Sequence, residues 1–102
     1  MDKTTLERTI ASQIRSLKSS NGKEFIFKRA SDPLDVTGVE FLNITVQSEE
    51  SDIIDSCCFI GTAKLVIPDG KNSQSIAYTI KGYASISGDD TVEVEENIGI
   101  ID

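Results

Sequence analysis

Residues 59–86, FIGTAKLVIPDGKNSQSIAYTIKGYASI, constrain the fold more than any other stretch of the chain. One set of alternate positions reads Phe59, Gly61, Ala63, Leu65 and Ile67, then Ile76, Tyr78, Ile80, Gly82, Ala84 and Ile86. The other set reads Ile60, Thr62, Lys64 and Val66, then Ala77, Thr79, Lys81, Tyr83 and Ser85. An alternation of period two, apolar on one side and mixed on the other, is that of half-buried strands. The turn formers Pro68, Asp69, Gly70 and Asn72 separate the two runs, so the stretch reads as a hairpin. Placing Ile67 opposite Ile76 sets Leu65 against Tyr78, Ala63 against Ile80 and Gly61 against Gly82. Two glycines on the apolar face predict a place where a helix or a bulky side chain comes close to the sheet.

Ahead of the hairpin lies one clear helix, expected over residues 4–18. Thr4 and Glu7 have capping-box spacing, and Leu6, Ile10, Ile14 and Leu17, with Ala11, form a narrow apolar stripe. Arg8, Ser12, Arg15 and Ser19 make the opposite face, and Ser19, Ser20, Asn21 and Gly22 signal its end. A stripe this narrow suits a helix laid across one face of a sheet. Residues 24–29 (EFIFKR) read as a first strand with Phe25 and Phe27 inward, and residues 30–35 as a turn around Pro33. Residues 39–47 (VEFLNITVQ) read as a second, central strand, with Leu42, Ile44 and Val46 on one face and Val39 and Phe41 on the other. After a turn at Ser87, Gly88, Asp89 and Asp90, the last strand sets Val92, Val94, Ile98 and Ile100 inward. Pairing Ser87 with Thr91 places Ser85 opposite Glu93, Tyr83 opposite Glu95 and Lys81 opposite Asn97. The expected fold is therefore α+β, a single domain over residues 1–102. Its N-terminal amphipathic helix packs across one face of a roughly five-stranded antiparallel meander.

Charge divides the chain. Residues 1–29 hold seven basic against three acidic side chains, net +4, and residues 30–102 hold three against fourteen, net −11, which together give −7. The densest acidic stretch is residues 48–56 (SEESDIIDS), with Glu49, Glu50, Asp52 and Asp55. It lacks the alternating oxygen ligands and central glycine of an EF-hand loop, so no calcium site is expected. Adjacent Cys57 and Cys58 point to opposite faces of a strand and cannot bridge without strain, which suggests free thiols in a reducing, cytoplasmic setting. No secretory signal or apolar span is visible.

Catalytic signatures are lacking. There is no histidine to serve as a general base, no phosphate-binding glycine loop and no zinc ligand set. Gly88-Asp89-Asp90 is explained as a turn. No metal or cofactor is expected, nor an enzyme. Lys23, Lys28 and Arg29, interleaved with Phe25 and Phe27, have the pattern of a single-strand nucleic-acid binder, but the acidic remainder of the chain argues against it.

The leading expectation is a non-enzymatic protein-binding module that presents acid to a basic partner. In size and charge it is similar to small acidic inhibitors and immunity-type proteins. Glu49, Glu50, Asp52 and Asp55, the acids Glu93, Glu95 and Glu96, and Tyr83 of the mixed face are its candidate contact residues. A second expectation is a self-associating subunit, a homo-oligomer or part of a larger particle. It would join through its sheet face or through a basic first-strand edge meeting an acidic last-strand edge. A third is a small-molecule pocket over Gly61 and Gly82.

Overall fold

The structure is a computed structural model, and it describes residues 2–49, 53 and 55–101. One helix and seven strands follow in order. They are α1 (Lys3–Arg15), β1 (Ile26–Arg29), β2 (Asp32–Leu34), β3 (Gly38–Val46), β4 (Ser56–Asp69), β5 (Asn72–Ile86), β6 (Val92–Val94) and β7 (Asn97–Ile101). All strands join one sheet in the order β2-β1-β7-β5-β4-β3, with β6 paired to β5 in line with β7. The α+β reading holds, but the sheet has seven strands rather than five.

Nor is it a plain meander. β3, β4, β5 and the β6–β7 segment follow one another antiparallel, but β1 pairs parallel to β7, with Phe27 beside Ile98 and Arg29 beside Ile100. The first strand thus crosses from α1 to the far side of the last one. The last strand becomes interior, and β3, expected to be central, becomes an edge. Residues 30–35, expected as a turn, contain β2, which closes a tight hairpin with β1 around Ala30 at φ 55°. Pro33 is tolerated there because β2 is an outer strand, where a missing amide breaks no ladder.

The β4–β5 hairpin forms as expected, but two residues out of register. Leu65 faces Ile76, Ala63 faces Tyr78, Gly61 faces Ile80 and Phe59 faces Gly82. Asp69 pairs with Asn72, leaving Gly70 (φ 63°) and Lys71 as a two-residue loop. Glycine as the first of two loop residues twists the chain in the sense that hairpins need. A shift of two preserves the alternation, so each side chain lies on the face its parity dictates. Each strand of the hairpin has about 14 residues rising about 3.3 Å apiece, and it sets the 46 Å long dimension.

The core lies between the inner sheet face and α1. Leu6, Ile10 and Ile14 of the helix are fully buried against it, together with Phe27, Phe59, Leu65, Ile80 and Ile98. The helix begins earlier and ends sooner than its stripe suggests. Asp2 is the N-cap, accepting the Thr5 amide at 2.7 Å, so the Thr4–Glu7 capping box does not form. Ser16 ends the helix, and Leu17 turns off at φ 60°. At Gly82 a Cβ would stand 2.6 Å from Cζ of Phe59, and at Gly61 it would collide with the Asn43 carbonyl. The close approach expected at these glycines is real: the Phe59 ring fills the space at Gly82, and the Asn43 carbonyl and Ile44 side chain fill it at Gly61.

In β3, a bulge between Val39 and Phe41 separates two residues expected on one face. Val39 packs against the core, and Phe41 stands 52% exposed. Two polar helix residues close the open strand edges. Glu7 Oε2 accepts the Val46 amide of β3 at 2.8 Å, and the Gln13 side chain donates to the Val92 carbonyl at 2.7 Å and accepts from the Val94 amide at 3.2 Å. α1 thus bridges from β3 to β6.

Candidate functional site

The sheet's geometry gathers acids at one end. β4 begins and β5 ends there, and the Ile86 amide donates to the Asp55 carbonyl at 2.7 Å. On the other side of β5, Ser85 faces Glu93. The amide of Glu95 donates to the Tyr83 carbonyl at 2.9 Å, as the expected register requires. Lys81 then faces Gly99 rather than Asn97, because two extra residues enter where β6 gives way to β7. The insertion falls between Glu95 and Gly99, and within it the Glu96 carbonyl accepts the Ile26 amide at 2.7 Å. Even parity is again kept, so Ile98 and Ile100 stay buried.

The α1–β1 connection lies against this insertion. Asn21 Nδ2 donates to Glu93 Oε1 at 2.7 Å, and Asn21 Oδ1 accepts from Ser19 Oγ at 2.6 Å. A cleft of about 300 Å³ results, lined by Ser19, Lys23, Ser85, Glu93, Glu95 and Glu96. The β5–β6 turn holds a further acid, Asp89. Its carboxylate accepts from the Ser87 hydroxyl at 2.5 Å and the Thr91 amide at 3.3 Å, which hold its pKa below the ordinary value.

Of the residues singled out from sequence, the structure brings Asp55, Glu93, Glu95, Glu96 and Tyr83 to this end. Glu49 lies there too, two residues beyond Gln47, whose amide donates to Cys58. Glu50 and Asp52 lie outside the described residues. Tyr83 faces Cys58 and is 50% exposed, so it offers a rigid amphipathic surface beside the acids.

The last strand is not the acidic edge that the sequence suggested. β7 is interior, and Gln13 occupies the open side of β6, so opposite-charged first and last edges cannot join. Phe27 of β1 is fully buried and Phe25, just before it, nearly so, which leaves neither ring for base stacking. Cys57 is buried, Cys58 partly so, and both are free thiols. Burial, reinforced by neighbouring Cys58, pushes the Cys57 thiol up. Among the described residues no cluster of metal-ligating side chains exists, and no helix is long and apolar enough to cross a membrane. Sequence reasoning missed the lining role of Ser19 and Lys23; the only signal was the turn composition of residues 19–22.

The outer faces of β4 and β5 differ sharply from that end. Their outward positions carry Lys64 and Lys81 and no carboxylate. No family model, no curated protein and no solved structure matches the chain.

Proposed function

We propose that the protein is a non-catalytic binding module whose acidic end docks a basic surface of a larger protein. The observation that carries this is that acids from segments about forty residues apart in sequence lie on either side of the end of β5. Asp55 and Glu93 flank β5, Glu95 and Glu96 follow, and Tyr83 stands half-exposed between them and the lysine-bearing outer face. An acidic rim beside an aromatic anchor is suited to steering a cationic partner and then holding it. The inhibitor-like mode of action is occlusion: the acidic end covers a basic site and excludes its usual ligand. The two free thiols fit a reducing, cytoplasmic setting.

Affinity capture with immobilised wild type and with a Glu93→Gln/Glu95→Gln/Glu96→Gln variant tests the reading. A partner retained by wild type and lost by the variant supports it. Equal retention by both excludes this end as the docking surface.

A further inference from the structure

Asn21-Gly22 is the one asparagine–glycine step in the chain. The other asparagines, Asn43, Asn72 and Asn97, sit in strands and precede Ile44, Ser73 and Ile98. An asparagine carboxamide is lost when the next backbone nitrogen attacks its Cγ. Glycine obstructs that attack least, having no side chain and wide backbone freedom. Asn21 and Gly22 are both exposed, so water reaches them.

Both reacting groups are nevertheless engaged. The Gly22 amide donates to the Ser19 carbonyl at 3.0 Å, so the attacking nitrogen keeps its proton and faces the turn. Asn21 Nδ2 donates to Glu93 Oε1 at 2.7 Å, and its Oδ1 accepts from Ser19 Oγ at 2.6 Å. Ser19, only 7% exposed, also holds Lys23: its amide donates to the Lys23 carbonyl at 2.8 Å, and its Oγ accepts the Lys23 amide at 3.2 Å. The carboxamide is thus fixed at both ends, and bringing Cγ onto the Gly22 nitrogen requires these bonds to open together. We propose that Asn21-Gly22 is a deamidation site locked by Ser19 and Glu93, and that its conversion is a one-way switch releasing the α1–β1 turn from β6.

The chemistry needs only water as co-reactant. The Gly22 nitrogen, having given its proton to solvent, bonds to Asn21 Cγ. The Cγ–Nδ2 bond breaks, and Nδ2 leaves as ammonia, taking up a proton. Water then opens the resulting succinimide at either carbonyl, giving aspartate or isoaspartate. Either product puts a carboxylate where a donor faced Glu93, so an attraction becomes a repulsion. Lys23 lines the same cleft, but it can only donate to one carboxylate or the other and does not restore a bond between them. Isoaspartate also lengthens the main chain by one carbon, which removes the Gly22–Ser19 turn bond. The switch operates whether or not the acidic end docks a partner.

Peptide mapping by mass spectrometry tests it, on wild type, Glu93→Ala and Glu93→Gln incubated both folded and in urea. Deamidation at Asn21 should be slower in folded wild type than in urea by about tenfold or more, the factor for a local opening that costs about 1.4 kcal/mol. Glu93→Ala, on an exposed position, should keep the thermal stability of a folded chain and deamidate severalfold faster than folded wild type. Glu93→Gln, which still accepts, should stay closer to wild type. Asn21→Asp, the switched form, should show faster hydrogen exchange at Gly22 and Lys23 with the β4–β5 ladder unchanged. Equal rates for folded and urea-unfolded wild type overturn the lock, and so does Glu93→Ala deamidating at the wild-type rate. Gly22 and Lys23 amides as protected in Asn21→Asp as in wild type overturn the switch.

Discussion

The Glu7 carboxylate accepts the backbone amide of Val46, across the gap between the helix and the outer edge of the sheet. Val46 sits where the β3–β4 ladder points its amide away from β4, since the next residue, Gln47, bonds to Cys58. Without Glu7 that half-buried amide has no partner. Glu7→Ala should therefore destabilise the fold by about 1.5 kcal/mol, and Glu7→Gln, which still accepts, by less. Urea unfolding should show a lower midpoint at unchanged slope.

Gln13 does the same for β6, using both ends of its amide on Val92 and Val94. Gln13→Leu keeps bulk but removes both bonds. The Val94 amide should then exchange with deuterium markedly faster, while the amides within the β4–β5 ladder remain as protected as before.

At Gly82 the Phe59 ring leaves no room for a methyl group, with a Cβ placed 2.6 Å from Cζ. Gly82→Ala should cost about 2 kcal/mol through overpacking. Combining it with Phe59→Leu should cost less than the sum of the two single changes, because the smaller side chain vacates the space the methyl needs. A strictly additive double variant would contradict the contact.

Two exposed carboxylates shape the acid limb of stability. Asp2, accepting from Thr5, and Asp89, accepting from Ser87 and Thr91, are both held below the ordinary value of 3.8. A depressed folded-state pKa contributes stability that is present above 3.8 and fades as pH falls through the folded-state value. Thermal unfolding of Asp2→Asn/Asp89→Asn should show a shallower loss below that pH than wild type shows.

Much of the inside–outside pattern was legible because parity is local. Ala63 and Ile80 sit between polar neighbours, Phe59 and Leu65 share their parity, and neither the two-residue shift in the hairpin nor the two-residue insertion between Glu95 and Gly99 changes which face they take. Register and strand order depend on more distant facts. Nothing in EFIFKR announces a parallel partner some seventy residues later, and that pairing moves β7 inside the sheet and β3 to its edge. The bulge at Glu40 broke the parity rule itself, sending Val39 inward and leaving Phe41 out. Thr4 and Glu7 fit a capping box by spacing, but Asp2 took the cap and freed Glu7 for Val46. Glu93, Glu95 and Glu96 were visible as a cluster, whereas the place of Asp55 on the other side of the end of β5 follows from the β4–β5 register, and that required the fold.

Docking of a cationic partner at the acidic end, as proposed, would carry a salt signature. The dissociation constant of the captured complex, measured against salt concentration for wild type and for the Glu93→Gln/Glu95→Gln/Glu96→Gln variant, tests it most directly. Wild-type affinity should fall steeply with salt, and the variant should be weaker at low salt with a flatter dependence. Superimposable salt profiles for the two proteins would contradict it.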